Sequence, residues 1–253
     1  MTNNIQFITN PRGQNLGFVK NEISSLNCVW LCGYHSDFFG SKAQTVAETA
    51  KENGASSLLF DYSGTGVSEG DFEDGTLSKW LEDAEFMIEQ QTKGDLILLG
   101  SSMGGWLSLS YAIKHPERVK ALILLAPAPD FTKDLMWDKF PQEVKDEITN
   151  NGFWLRPSEY DDNGYRVTRE LIEDGETHLI LHNKIKINVP VTIIHGLKDA
   201  DVPFARSLEL VENLTTPDVR LCYIKEGDHR LSSDDDLAFL KQILTNQIKN
   251  LVK

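Results

Sequence analysis

Short apolar runs alternate along the chain with longer stretches whose apolar residues recur every three or four positions. The runs are Cys28–Cys32, Ser57–Tyr62, Asp95–Gly100, Val119–Ala126, Val191–His195 and Arg220–Ile224. Most are unbroken Leu, Ile, Val and Phe rather than an apolar/polar alternation, as expected of strands covered on both faces. The helical patterns lie near Lys42–Glu52, Leu77–Gln90, Gly105–Lys114, Ala205–Asn213 and Leu237–Leu251. This alternation predicts an α/β fold, a mostly parallel central sheet with helices on both faces. Ahead of it, Ile5–Thr9 and Leu16–Lys20 flank the turn signal Asn10-Pro11-Arg12-Gly13 and predict a hairpin at one sheet edge.

One stretch breaks the rhythm. From about residue 130 to 187 there is no strand pattern, only helical pieces rich in charge and large aromatics. It falls between two core strands, so it reads as a helical cap inserted over one end of the sheet. No internal repeat or flexible linker divides the 253 residues, and a single domain over 1–253 is expected.

Charge narrows the partners. With 38 acidic against 25 basic residues the formal charge is −13, which repels nucleic acid and anionic membrane surfaces. No apolar run approaches the ~18 residues of a membrane-spanning helix, so no integral membrane association is expected. The opening MTNNIQFITNPRGQ has neither a basic n-region nor an apolar h-region. Of the three cysteines, Cys28 and Cys32 sit four apart on one predicted strand, about 13 Å along it, too far for a disulfide. The chain reads as cytoplasmic and reduced.

The chemistry is concentrated in DLILLGSSMGGWLSLSYAI. An apolar strand runs straight into Gly100-Ser101-Ser102-Met103-Gly104 and a helix follows at once. That is the G-x-S-x-G nucleophile elbow in its strand–turn–helix context. Ser102 is the nucleophile by spacing; Ser101 is the rival, but Leu99 and Met103 flank it where glycines should stand. A serine hydroxyl needs a base. His229, in Gly227-Asp228-His229-Arg230 after the last predicted strand, suits that role better than His35, His115, His178, His182 or His195. The acid is expected just beyond Val191–His195, where Asp199 is preferred, with Asp201 and Asp130 as alternatives. The oxyanion that forms needs backbone donors already in place. The N–H of Met103 and that of Tyr34, in Gly33-Tyr34-His35, are expected to supply them, with His35 adding a contact to substrate.

Three other patterns fail. Gly64-Thr65-Gly66 is not a dinucleotide loop, because Glu69 stands where G-x-G-x-x-G needs glycine. No Gly-Lys-Ser/Thr phosphate loop exists. His178 and His182 have the zincin spacing, but Leu179 replaces the catalytic Glu. No metal and no cofactor are expected.

With these residues in view the chain resembles the α/β-hydrolase superfamily over nearly its whole length. DYSGTGVSEG resembles its Asp-x-Arg-Gly-x-Gly-x-Ser turn, with Ser63 where Arg is commoner. His195-Gly196-x-x-Asp199-x-x-Val202-Pro203 resembles its acid-bearing segment. LCGYHSD, DYSGTG, GSSMGGWL, DLMWDKFP, EVKDEI, HGLKD and DHR together are similar to the α/β-hydrolase domain-containing group of mitochondrial acyl-protein thioesterase and acyl-glucuronide esterase. That resemblance implies a serine hydrolase cleaving carboxylic esters or thioesters through an acyl-serine, on a small-molecule or acylated-protein substrate. A general short-chain carboxylesterase or a peptidase would use the same residues, and a non-catalytic ligand-binding member of the fold is the alternative of another class.

The insertion carries Phe131, Trp137, Phe140, Phe153, Trp154, Tyr160 and Tyr165, and Trp106 follows the nucleophile. Trp106, Trp137 and Trp154 are candidates to line an acyl pocket, although most such aromatics serve to glue a cap to its sheet. Arg156, Arg166 and Arg169 could meet an anionic group, but Asp161, Asp162 and Glu170 stand nearby as surface ion partners.

Overall fold

The apolar runs at the centre of the sheet are buried along most of their length, whereas the run at Arg220–Ile224 is only partly covered. The computed structural model describes residues 5–157 and 164–252; Tyr160, Asp161 and Asp162 lie outside them. Its strands are β1 (Gln6–Thr9), β2 (Asn15–Asn21), β3 (Leu26–Leu31), β4 (Ser56–Phe60), β5 (Asp95–Ser101), β6 (Val119–Leu125), β7 (Phe153–Arg156), β8 (Tyr165–Thr168), β9 (Val191–Gly196) and β10 (Val219–Ile224). The helices are α1 (Ser41–Glu52), α2 (Leu77–Gln91), α3 (Met103–Lys114), α4 (Gln142–Asn151), α5 (Arg169–Glu176), α6 (Ala205–Asn213) and α7 (Asp234–Leu251). Every residue of β3, β4 and β9 is buried, so side chains on both faces of these strands are covered.

Eight strands form one sheet in the order β1-β2-β4-β3-β5-β6-β9-β10. The expected β1–β2 hairpin lies at the edge, and β2 runs antiparallel to β4; the other neighbours are parallel. The chain leaves β3 through α1 to β4 on one side, then crosses through α2 to β5 on the other. The strand order therefore switches direction between β3 and β5. Open α/β sheets bind ligands at such a point, beyond the carboxyl ends of the strands. The loops leaving β3 and β5 are the ones that carry Tyr34 and Ser102.

Between β6 and β9 the inserted segment is not all helical. A π-turn (Thr132–Met136) and a 3-10 turn (Trp137–Lys139) lead into α4. Then β7 and β8 pair antiparallel, Phe153 opposite Thr168 and Arg156 opposite Tyr165. This corrects the expectation of helical pieces alone. Four-residue strands of mixed polarity carry no alternation to read; they are held as a ribbon by cross-strand contacts, with the Arg166 guanidinium 4.3 Å from the Phe153 ring centroid.

Candidate active site

The elbow is strained in the way its glycines require. Ser102 joins β5 to α3 with φ 53° and ψ −117°, a region that costs a non-glycine residue about 1–3 kcal/mol and persists only where the surroundings enforce it. Its N–H donates to Leu125 O, and its carbonyl accepts from Gly105 N and Ala128 N. A Cβ on Gly100 would lie 2.2 Å from Gly104 O, and one on Gly104 would lie 2.0 Å from Leu31 O. The turn closes only with glycine at both places. Ser102 is partly exposed, whereas Ser101 is only 6% exposed and its Oγ accepts from Lys42 Nζ at 3.0 Å.

The loop after β3 touches the elbow. A Cβ on Gly33 would stand 3.4 Å from Ser102 Cβ and 3.2 Å from Ser101 O. Tyr34 and His35 follow directly, His35 with φ 59°. The backbone beside the serine is therefore that of Gly33, which leads into Tyr34, on one side and Met103, the first residue of α3, on the other.

The acid and the imidazole arrive on separate loops. His229 Nδ1 donates to Asp199 Oδ2 at 2.7 Å. The loops meet because a Cβ on Gly196, at the end of β9, would be 2.2 Å from Gly227 O. The Asp199 side chain is fully buried, and that of His229 is 23% exposed. Asp199 Oδ1 accepts from Asp201 N (2.9 Å) and Val202 N (2.7 Å), while Oδ2 also accepts from His195 Nε2 (3.0 Å). Burial alone would raise the Asp199 pKa. Hydrogen bonds from His195, His229 and Val202 N, together with the His229 charge, outweigh it and hold this carboxyl well below the usual carboxylate range. Of the three carboxylates considered, Asp199 is the one that meets His229. Asp130 instead accepts from Ile180 N and Leu181 N within the insertion.

His195 and Phe72 are among the residues that escaped the sequence reading. His195 reads there as a strand-end histidine, yet it is fully buried, with Nδ1 2.6 Å from Ser207 Oγ. Its only sequence signal is the four-residue spacing to Asp199. Phe72 lies far along the chain from the elbow but packs on Tyr34 and His35, with ring centroids at 4.9 and 4.0 Å; nothing in its local sequence marks it. Tyr165, from β8, closes the same cluster at 4.9 Å from His35.

The three tryptophans are placed differently. Trp106 is fully buried, donates Nε1 to His178 O at 3.2 Å and meets Phe131 edge-on. These contacts fasten α3 to the insertion. Trp137 lies under the Lys145 ammonium and Trp154 packs edge-on against Phe140. Arg166 pairs with Glu73 and Arg169 with Glu173, whereas Glu170 pairs with Lys79.

Among the described residues, Asp199–Asp201–His229 and Asp130–Asp134–His182 each bring ligand-type atoms within 4.8 Å of one another. Protein donors already engage Asp199, Asp130 and Asp134, the last through Arg206. No described helix is long and apolar enough to cross a membrane.

The family described as "Serine aminopeptidase, S33" matches residues 29–156. The human protein named "Palmitoyl-protein thioesterase ABHD10, mitochondrial" is 36% identical over 248 residues, covering 98% of this chain and 81% of that protein. The chain belongs to the ABHD10 family of α/β hydrolases. The solved mouse ABHD10 superposes with a TM-score of 0.90 at 35% identity, covering 98% of this chain and 99% of that one. A putative hydrolase from Agrobacterium vitis S4 gives 0.92 at 35% identity, covering 97% and 98%. As a member of the ABHD10 family the chain is a serine hydrolase of the ester- and thioester-cleaving kind.

Proposed function

We propose that the chain removes long acyl groups from cysteine thioesters on proteins, takes acyl oxygen esters as well, and does so with Ser102, His229 and Asp199. With Nδ1 donating to Asp199, Nε2 of His229 is the nitrogen left to act as base toward the serine hydroxyl. Ser102 Oγ attacks the acyl carbonyl while its proton passes to Nε2. The oxyanion meets the N–H groups of Tyr34 and Met103; the first N–H groups of α3 have no partner within the helix and lie at its positive end. The tetrahedral species collapses, the C–S bond breaks, and the thiol leaves with the proton from His229. Water then attacks the acyl-serine with His229 as base, releasing the carboxylic acid and restoring Ser102.

The observation that carries this reading is Ser102 held at φ 53° above an elbow whose glycines leave no alternative. Support for a long acyl group comes from the palmitoyl-protein thioesterase name of the human relative. The aromatic cluster of Tyr34, His35, Phe72 and Tyr165 beside the elbow adds apolar surface, and each buried CH₂ of a chain gains about 0.8 kcal/mol. We place the enzyme in a reducing intracellular compartment, a location supported by its three free thiols.

The test is hydrolysis of matched thioesters and oxygen esters across acyl lengths, with Ser102→Ala as the blank. Ser102→Ala should lower kcat by at least about 10³-fold, and kcat/KM should climb with chain length. A Ser102→Ala protein as active as the parent overturns the site. A parent that prefers short or bulky oxygen esters overturns the substrate.

A further inference from the structure

We propose that Lys42 is a positioning residue for the hydrolysis, its Nζ tying the serine elbow to the loop that carries His229. The inference rests on the roles just given to Ser102 and His229. Lys42 lies in the first turn of α1. Its Nζ donates to Ser101 Oγ at 3.0 Å and to the Arg230 carbonyl at 2.5 Å. Ser101 precedes the nucleophile, and Arg230 follows the base. A single side chain thus grips the neighbour of each reacting residue.

The grip has a job because of the sheet order. Ser102 rises from β5 and His229 from the loop after β10, with β6 and β9 between them. At about 4.8 Å per strand spacing the two strands stand roughly 14 Å apart. Their loops must lean toward each other to bring Nε2 to Oγ. Asp199 fixes His229 from the β9 side, and Lys42 fixes the same loop from the β5 side. A displacement near 1 Å at such a junction is enough to cost about 10²-fold in rate.

The electrostatics mark Lys42 as built in. Burial brings its pKa down from 10.5 to about 8; Asp228 on the His229 loop, Cys32 after β3 and Asp236 in the first turn of α7 favour the charged form, and Arg230 opposes it. Charge-assisted hydrogen bonds are roughly twice as strong as neutral ones, so the grip weakens as the ammonium becomes an amine. A Ser101–Lys42 catalytic pair is the competing reading of the same contact. It is disfavoured because Ser101 is buried and the glycines of the elbow flank Ser102, not Ser101.

The experiment compares Lys42→Met, Lys42→Arg, Ser101→Ala and Ser102→Ala, each checked for fold by circular dichroism and melting, on one thioester across a pH series. Lys42→Met should lower kcat about 10- to 100-fold with KM changed less than about twofold. Lys42→Arg should recover most of that loss, because a guanidinium can reach both acceptors. The parent should lose kcat as pH rises through about 8, and Lys42→Arg should keep it there, since guanidinium stays charged. Ser101→Ala, which removes one of the two anchors, should cost only a few-fold. The grip is overturned if Lys42→Met keeps parental kcat while Ser102→Ala is inactive, or if Lys42→Arg repeats the parental alkaline limb. If Lys42→Met does not fold, the Lys42→Arg profile alone decides. An active Ser102→Ala with an inactive Ser101→Ala would instead overturn the catalytic assignment itself.

Discussion

Asp199 Oδ2 accepts from two imidazoles at once, His229 at 2.7 Å and His195 at 3.0 Å, and Oδ1 takes two backbone N–H groups. A carboxylate has about four acceptor sites, so this buried one is fully satisfied. His195 Nε2 also stands 3.0 Å from Val202 O. Flanked by two acceptors, that nitrogen carries the hydrogen, and Nδ1 accepts from the Ser207 hydroxyl. His195→Ala removes one donor from a buried charge and opens a cavity. It should cost about 2–4 kcal/mol in urea unfolding at neutral pH. The sign of its pH dependence follows from the depressed Asp199 pKa. Stability from that depression is present above the unfolded value near 3.8 and is lost as pH falls below it. With a donor gone, the folded pKa moves back up and part of that stability disappears. The acid-unfolding midpoint of His195→Ala should therefore lie above the parent's; an unchanged midpoint would show that His195 does not support the carboxylate.

The loop between β4 and α2 has Asp61 as its pin, fully buried, accepting from Phe38 N (2.9 Å) and Val67 N (3.0 Å). Burial raises its pKa from 3.8 to about 7, with the two N–H groups pulling down and Asp37 pushing up. A carboxyl raised on folding contributes stability that is greatest at low pH and declines as pH rises toward the folded value. Asp61→Asn has no proton to lose. The stability gap between parent and variant should narrow as pH is raised from about 4 to about 7, read from urea unfolding at each pH. A gap independent of pH would place Asp61 as a carboxylate throughout. The motif DYSGTG was legible as a family turn, but its departure at Ser63 has a structural answer that only folding brings together. Arg12, from the β1–β2 turn, reaches Ser63 Oγ and Asp83. Element boundaries show the same division. The unbroken apolar strands were readable because burial on both faces leaves one kind of residue. The start of α7 was not: its capping box of Ser233 and Asp236 begins the helix at Asp234, ahead of the apolar pattern that opens at Leu237.

Across the whole molecule, what was legible is the chemistry that a short motif must encode, and what was not is the chemistry assembled by long-range contact. Ser102 announces itself because a tight turn needs its glycines adjacent. Lys42, Phe72 and His195 take their places through partners on other elements, and no local pattern requires them. Asp130 is the instructive middle case. As a carboxylate after β6 it could serve as the acid, yet the fold uses it to close the insertion. Held at φ 59° and fully buried, it accepts from Ile180 N and Leu181 N, joining the insertion's entry to its exit. Arg206–Asp134 and Ser78–Asp174 fasten the same segment to α6 and α2. Asp130→Asn places an amide N–H₂ against one of those backbone donors and should cost about 1–3 kcal/mol, the penalty of an unsatisfied buried group. Because the sheet does not depend on that pin, the damage should be local. Limited proteolysis followed by mass spectrometry should cut the variant faster inside residues 131–187 while the β3–β6 region stays protected. Turnover of a short-chain ester should stay within about threefold of the parent, whereas Asp199→Asn, which leaves His229 in the wrong tautomer, should lose about 10⁴-fold. Should Asp130→Asn fall as far as Asp199→Asn on that small substrate, the insertion and the reacting residues would be one cooperative unit, not a cap pinned over a separate site.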